Sequence, residues 1–315
     1  MIITRAPLRI PLAGGGTDFP GYYLKYGGFI CSFALDRYVH VVLHDTIDKK
    51  VRLKYSKTEE VENIDDLKNR IAAEALKWYG YPSEFEQGIE IATFSDVPEA
   101  SGLGGSSSFC VALVTALRRK LGLSLDKETI FASAYDIERN KAGQPGGIQD
   151  QYFAAHGGAQ ILELGEVFER ENIDIRDLVS NLKLLYTGTG RANLAIAENQ
   201  VSRTSKLDTS MLSNLDSVKA MGRTIVNFIR MDEYDRIGMA FDNHWEVKKL
   251  RDPSITNPVV DSLYKQALAE GAKGGKLIGL GGGGYLLMYT DGVSGNLPYI
   301  PVGIDQEGCK VCYET

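Results

Sequence analysis

Positive charge is in short supply: 35 Lys and Arg face 41 Asp and Glu, a formal net charge of −6 with the signs intermixed. Binding along a nucleic-acid backbone requires a positive surface, so no nucleic-acid partner is expected, and anionic ligands must be met by a local arrangement of donors. Long apolar runs are also missing. Val111 to Leu117 is typical of the longest, against the roughly 20 residues that cross a bilayer, and no charged-then-apolar leader opens the sequence. These absences predict a soluble globular chain with no membrane partner and a cytoplasmic location. Cysteine is confined to Cys31, Cys110, Cys309 and Cys312, of which only the last two approach metal-ligand spacing. A single Cys-x-x-Cys without a second pair reads as two positions of a C-terminal strand rather than a zinc site. The four histidines, His40, His44, His156 and His244, form no ligand pattern. Repeats, low-complexity tracts and flexible linkers are absent.

With 315 residues and 43% hydrophobic content, the chain can bury the core of one large or two modest domains. Strand-like segments dominate up to about Asp96: Leu8 to Ala13, Gly28 to Leu35, Tyr38 to His44, Val51 to Tyr55 and Ile89 to Thr93, with one helix from Ile64 to Tyr79. Helical patterning takes over from Gly104 to Gln151, and strands return near Ala159 to Leu164 and Lys183 to Thr187. Beyond Arg191, amphipathic patterns at Asn193 to Arg203, Leu212 to Arg230 and Val259 to Glu270 precede strands at Lys276 to Ile278, Tyr285 to Tyr289 and Lys310 to Tyr313. The mixture predicts an α+β protein with a smaller second domain after residue 190.

Three glycine-rich segments stand out. In Pro98-Glu-Ala-Ser-Gly-Leu-Gly-Gly-Ser-Ser-Ser108, glycines and hydroxyls precede a helical stripe of Cys110, Val111, Val114, Leu117 and Leu121, with Arg118, Arg119 and Lys120 at its negative end. Glycine admits close approach of backbone to ligand, and a helix N-terminus offers unpaired N–H groups to an anion. The run is either a serine-capped turn or a phosphate cradle. No lysine follows the glycines, so a Walker-type loop is excluded and phosphate charge falls to N–H groups, serines and a metal ion. Ala6 to Asp18 joins a strand carrying Arg9 to three glycines and a carboxylate. Lys276-Leu-Ile-Gly-Leu-Gly-Gly-Gly-Gly-Tyr285 lies between apolar runs, and four successive glycines are entropically costly, which points to close approach to a ligand.

With these segments in this order, the chain resembles the GHMP small-molecule kinases, named for galactokinase, homoserine kinase, mevalonate kinase and phosphomevalonate kinase. Pro98 to Ser108 is similar to that family's Pro-x-x-x-Gly-Leu-Gly-Ser-Ser-Ala loop, with Gly105 where the first serine is usual and Ser106 at the second. Gly14-Gly-Gly-Thr-Asp18 followed by Tyr22-Tyr23, Ala134-Tyr-Asp-Ile-Glu-Arg139 and Gly146-Gly-Ile-Gln-Asp-Gln-Tyr152 most resemble the D-glycero-D-manno-heptose 7-phosphate kinases within it. Leu280 departs from the usual Gly-Ala-Gly-Gly-Gly-Gly by putting a bulkier side chain in the third segment. The resemblance implies a ribosomal protein S5-like domain at residues 1–190, a ferredoxin-like domain at 191–315, and an active site between them. It also implies ATP- and Mg²⁺-dependent phosphorylation of the anomeric hydroxyl of the heptose 7-phosphate to the 1,7-bisphosphate, with small molecules as partners. A 1-kinase for a free sugar of the galactose or fucose type is the neighbouring reading, and a catalytically silent, sugar-responsive regulator the distant one.

Phosphoryl transfer asks for charge neutralisation and positioning more than covalent chemistry. The resemblance assigns ATP to Gly102, Leu103, Gly104, Gly105, Ser106, Ser107 and Ser108. On a helix from Lys127 to Asn140, Phe131, Ala134 and Glu138 share one face, so Glu138 ends an apolar stripe where an unpaired carboxylate is costly. It either pairs with Arg139 or, as the resemblance implies, holds Mg²⁺ beside Ser106. Asp150 follows the turn at Pro145 to Gly147 and opens a short helical pattern. It is either a carboxylate stabilised by the helix dipole or, by resemblance, the group that takes the acceptor's proton, with Arg9 as its cationic partner. Thr17 and Asp18 either form an Asx-type turn or bind sugar hydroxyls, as the resemblance implies, together with Gly281, Gly282 and Gly283. A substrate phosphorylated at its far end needs a second anion site. Arg191, beside glycines at an expected helix start, is the first candidate, and the cluster Lys248, Lys249 and Arg251 the second. The Asp36-Arg37 pair closing a strand is expected to be structural.

Overall fold

The structure, a computed structural model, describes residues 1–188, 194–292 and 295–315. Its first sheet takes β1 (Ile2–Ala13), β2 (Gly28–Thr46), β3 (Val51–Lys54), β4 (Thr58–Val61), β5 (Gly88–Ser95), β6 (Ala159–Leu164) and β7 (Glu169–Asn172). The second takes β8 (Leu182–Tyr186), β9 (Gly274–Leu277), β10 (Tyr285–Tyr289) and β11 (Ile300–Pro301), after which β12 (Lys310–Glu314) returns to the first. The segments expected at Gly28 to Leu35 and Tyr38 to His44 are a single strand of 19 residues. It pairs with β1 on one side, and on the other first with β6 and then with β5. The first sheet runs β12-β1-β2-β5-β3-β4, and the second β11-β8-β10-β9. In chain order the second sheet reads fourth, first, third, second with antiparallel neighbours, as a ferredoxin-like arrangement requires.

Ten α-helices are present among the described residues: α1 (Pro20–Tyr26), α2 (Arg70–Trp78), α3 (Gly105–Lys120), α4 (Lys127–Tyr135), α5 (Gln149–His156), α6 (Arg176–Ser180), α7 (Leu194–Ser205), α8 (Thr209–Arg230), α9 (Ile237–Lys249) and α10 (Pro258–Ala269). The helix expected over Ile64 to Tyr79 is broken because Asn69 caps α2 with its side chain, accepting from Ala72 N, and leaves only a short turn at Ile64–Asp66. The sequence pattern also missed α9. Its buried face is Ile237, Ala240, Phe241, His244, Trp245 and Lys248, in which ionisable residues interrupt the apolar stripe. No helix among the described residues is long and apolar enough to cross a membrane.

The main core lies between α3 and the first sheet. Phe109 to Leu117 are buried against Leu8, Ile10 and Phe33, and two hydroxyls tie the layers together: Thr4 Oγ1 donates to Ala112 O at 2.8 Å and Ser108 Oγ to Pro7 O at 2.8 Å. The two sheets do not divide at one point of the chain. β8 precedes residue 190 yet belongs to the second sheet, and β12 follows it yet belongs to the first. Cys309 is buried and Cys312 is exposed on β12, both as free thiols.

Candidate active site

The glycine-rich segments meet each other. Gly102 has φ +80°, and a Cβ there would lie 2.7 Å from Ile278 O; a Cβ on Gly284, at φ +103°, would lie 2.3 Å from Ser101 O. At these positions glycine is required because two stretches of the chain's own backbone touch, whereas the sequence suggested approach to a ligand. Gly102→Ala is expected to lower stability by about 1–3 kcal/mol through strain and steric displacement, and to weaken the nucleotide binding expected of this loop. Thermal melting and nucleotide titration would read both effects.

Around this contact lies a cleft of about 830 Å³. Gly104, at φ +83°, caps α3 without any side-chain hydrogen bond, so the helix starts a turn earlier than its apolar stripe and opens its N-terminus towards the cleft. Beside it, Arg9 Nε donates to Asp150 Oδ1 at 2.7 Å and Arg9 Nη1 to Gly102 O at 2.6 Å. A Cβ on Gly104 would stand 3.5 Å from both Arg9 Cγ and Asp150 Cγ. The carboxylate and its guanidinium partner therefore abut the helix N-terminus where an anion is favoured.

Glu138 does not continue the stripe of Phe131 and Ala134 on a regular helix. After Tyr135 the turns widen into a π-helical segment, Asp136–Lys141, a distortion common at functional sites. Its carboxylate is fully buried, and Ser106 Oγ donates to Oε1 at 2.8 Å while Gln151 Nε2 donates to Oε2 at 2.6 Å. Arg139 Nη1 lies 3.4 Å from Oε1, so the ion pair is present as well. No group of three or more His, Cys, Asp or Glu suited to a metal occurs among the described residues. Two adjacent oxygens, Ser106 Oγ and Glu138 Oε1, on the cleft wall fit a cation that takes one or two protein ligands and fills its shell with phosphate and water.

Thr17 and Asp18 part ways. Thr17 is buried, its hydroxyl bonded to Gly14 O, Phe29 O and Phe29 N, which removes it from the substrate role expected of it. Asp18 lines the cleft and accepts from Gly16 N and Gln149 N, each at 3.2 Å. Burial, and then the charge of Asp150, raise its carboxyl above the usual range. A Cβ on Gly147 would lie 1.9 Å from Asp18 Oδ2, so the turn before Asp150 must be glycine to admit this carboxylate.

Past Asp18 the wall becomes cationic. Arg251 Nη2 donates to Gly15 O and Nη1 to Gln200 Oε1, both at 3.2 Å, and Nε donates to Asn214 Oδ1 at 3.0 Å. Lys248 Nζ donates to Leu277 O at 2.8 Å and Gly279 O at 2.6 Å, and Lys276 Nζ donates to Leu12 O. His244 is buried among them, with no partner on either ring nitrogen among the described residues. Burial pushes the Lys276 ammonium down to about 7. Because this folded value lies below the unfolded one, stability should rise with pH from about 7 towards the ordinary lysine range and be lowest below 7. Lys276→Met is accordingly expected to raise the melting temperature, most below pH 7, and to flatten that pH dependence, as melts across pH 6 to 10 would test.

Other expected site residues are scattered. Gly102, Gly104, Gly105, Ser106, Gly281 and Gly283 line the cleft, whereas Leu103 is in the core and Gly282 bonds to Ile255 O and Asn257. Ser108 is turned towards Pro7 O, and Ser107 Oγ accepts from Arg139, so neither hydroxyl faces the cleft. Arg191 lies outside the described residues. Lys249 is bonded to Glu246 at 2.6 Å, apart from Lys248 and Arg251. Asp36 and Arg37 form a local pair, with Asp36 also accepting from Gly303 N. His244, Lys276 and Gln151 were not anticipated. The signal for the first was present, since His244, Lys248 and Arg251 follow helical i, i+4, i+7 spacing.

Residues 67–158 match the family model "GHMP kinases N terminal domain". A curated D-glycero-alpha-D-manno-heptose 7-phosphate kinase of Campylobacter jejuni is 29% identical over 312 residues, 92% of this chain and 89% of the relative. The crystal structure of a putative sugar kinase from C. jejuni aligns with TM-score 0.74 and 26% identity over 98% of this chain and 97% of the other. That of a D-glycero-D-manno-heptose 1-phosphate kinase from Bacteroides thetaiotaomicron aligns with TM-score 0.70 over the whole of both chains; at 23% identity it speaks to the fold alone.

Proposed function

Given that this chain carries the GHMP kinase N-terminal domain and is homologous to sugar kinases of that family along most of its length, we propose that it transfers phosphate from ATP to the anomeric hydroxyl of D-glycero-D-manno-heptose 7-phosphate. The product is the 1,7-bisphosphate. The observation that carries the reading is the Arg9–Asp150 pair at 2.7 Å, set directly against Gly104 at the N-terminus of α3. It supports Asp150 as proton acceptor, because the carboxylate adjoins the helix N-terminus that the reading assigns to phosphate.

In this reading the N–H groups at the start of α3 hold the nucleotide's phosphates. Ser106 Oγ and Glu138 Oε1 hold Mg²⁺, which when bound neutralises phosphate charge during transfer. The Ser106 hydroxyl would then turn its hydrogen away from Glu138 Oε1, so that both oxygens present lone pairs to the ion. Arg9 fixes the orientation of the Asp150 carboxylate through Oδ1, leaving Oδ2 to receive the proton of the attacking hydroxyl. Asp18, anchored by Gly16 and Gln149, accepts from a sugar hydroxyl and orients the ring.

The test is Mg²⁺-dependent ADP release with D-glycero-D-manno-heptose 7-phosphate, the dephosphorylated heptose, galactose, fucose and mevalonate. Turnover confined to the phosphorylated heptose is expected. Turnover on a free sugar instead would reassign the protein to the simple sugar 1-kinases.

A further inference from the structure

We propose that His244, Lys248, Arg251 and Lys276 form the pocket that receives the far-end phosphate of the acceptor, a phosphate monoester. The inference rests on the sugar-phosphate reading above and deepens it by assigning the residues that select a phosphorylated acceptor.

The four side chains come from separate parts of the fold and converge on the cleft: His244 and Lys248 from α9, Arg251 from just beyond it, and Lys276 from β9. All four are more than nine-tenths buried, at 3%, 8%, 6% and 3% exposure. Their hydrogen-bonding capacity is only partly used. A guanidinium carries five N–H donors and an ammonium three. Among the described residues the Arg251 side chain makes three hydrogen bonds, Lys248 two and Lys276 one, and every acceptor is neutral. His244 makes none among the described residues.

None of the four enters an ion pair among the described residues. Asp18 is the carboxylate whose charge reaches Arg251, and its two oxygens already accept from Gly16 N and Gln149 N. Buried cations without a counter-anion are costly, and these also repel one another. The proton affinities of Lys248 and His244 are pushed down by burial and then by neighbouring cations, and those of Arg251 and Lys276 by burial. Arg9 adds its charge from β1. A dianion with several acceptor oxygens answers both deficits at once, the missing charge and the idle donors.

Position agrees with this role. Arg251 lies flush against Gly16, where a Cβ would come within 2.4 Å of Nη1. Asp18, two residues on, faces Gly147 in the turn that leads to Asp150. A sugar whose anomeric hydroxyl meets Asp150 and whose ring meets Asp18 therefore extends towards Arg251. The ends of the acceptor are thus held by opposite chemistry, a carboxylate at the reacting hydroxyl and cations at the remote phosphate.

Two variants test the pocket. His244→Leu removes a side chain with no hydrogen-bond partner among the described residues and should leave the fold intact or more stable. Arg251→Lys keeps the charge but loses the planar fork. With D-glycero-D-manno-heptose 7-phosphate and mannose 6-phosphate against their free sugars, the wild type should favour the phosphates in kcat/KM by about 100-fold or more. Each variant should lose about tenfold or more of that preference, with the KM for ATP unchanged. Calorimetry in buffers of different ionisation enthalpy should show proton uptake when the phosphorylated sugar binds the wild type, reduced in His244→Leu.

The failures separate. Turnover of heptose 7-phosphate with the preference unchanged in both variants overturns the pocket and leaves the kinase reading. Turnover of a different phosphorylated sugar, with the losses as expected, overturns the heptose and leaves the pocket. Preference for free sugars in the wild type overturns both.

Discussion

Asp150→Asn is expected to lower kcat by about 10²–10⁴-fold while leaving the affinity for ATP nearly unchanged. Asparagine keeps the carbonyl oxygen that accepts from Arg9 Nε, so the side chain stays in place and the start of α5 is undisturbed. What disappears is the capacity to take a proton. A fall in kcat without a matching rise in KM would identify a group that acts in the transition state. Near-normal turnover would remove Asp150 from the chemistry and reduce its bond with Arg9 to a strut between β1 and α5.

The second large effect belongs to Glu138→Gln, for which a loss of about 100-fold or more in turnover is expected, with half-saturation displaced to higher Mg²⁺ concentration. The substitution is close to isosteric, and its surroundings can adapt. Gln151 now donates to Glu138 through Nε2 while its own Oε1 is buried without a partner among the described residues. Turning that amide over would present Oε1 to the new Nε2, so folding should survive. An unchanged Mg²⁺ dependence would return Glu138 to the role of ion-pair partner for Arg139.

Local patterns carried much of this site into view. The glycines before α3, the carboxylate after the Pro145 to Gly147 turn and Arg9 on β1 are each marked by a short motif, and they converge. Thr17 and Asp18 were harder, because both are buried and only the hydrogen bonds between the Thr17 hydroxyl and the Phe29 backbone decide which of these turn neighbours is kept from the cleft. The π-helical segment at Glu138 leaves no trace in periodicity, since it depends on partners distant in sequence such as Ser106 and Gln151. The face of α9 was illegible for a related reason. Hydrophobic patterning treats buried His244 and Lys248 as solvent-facing, and a polar cleft at the end of a core reverses that rule.

The passage of the chain between its sheets has a mechanical side. It leaves the first sheet between β7 and β8 and comes back between β11 and β12, where Asp36 N donates to Gly303 O and Asp305 N to Ala34 O. One connection would act as a ball joint. Two separated connections act as a pair of door hinges: they define an axis, and twisting across it would shear one crossing or the other.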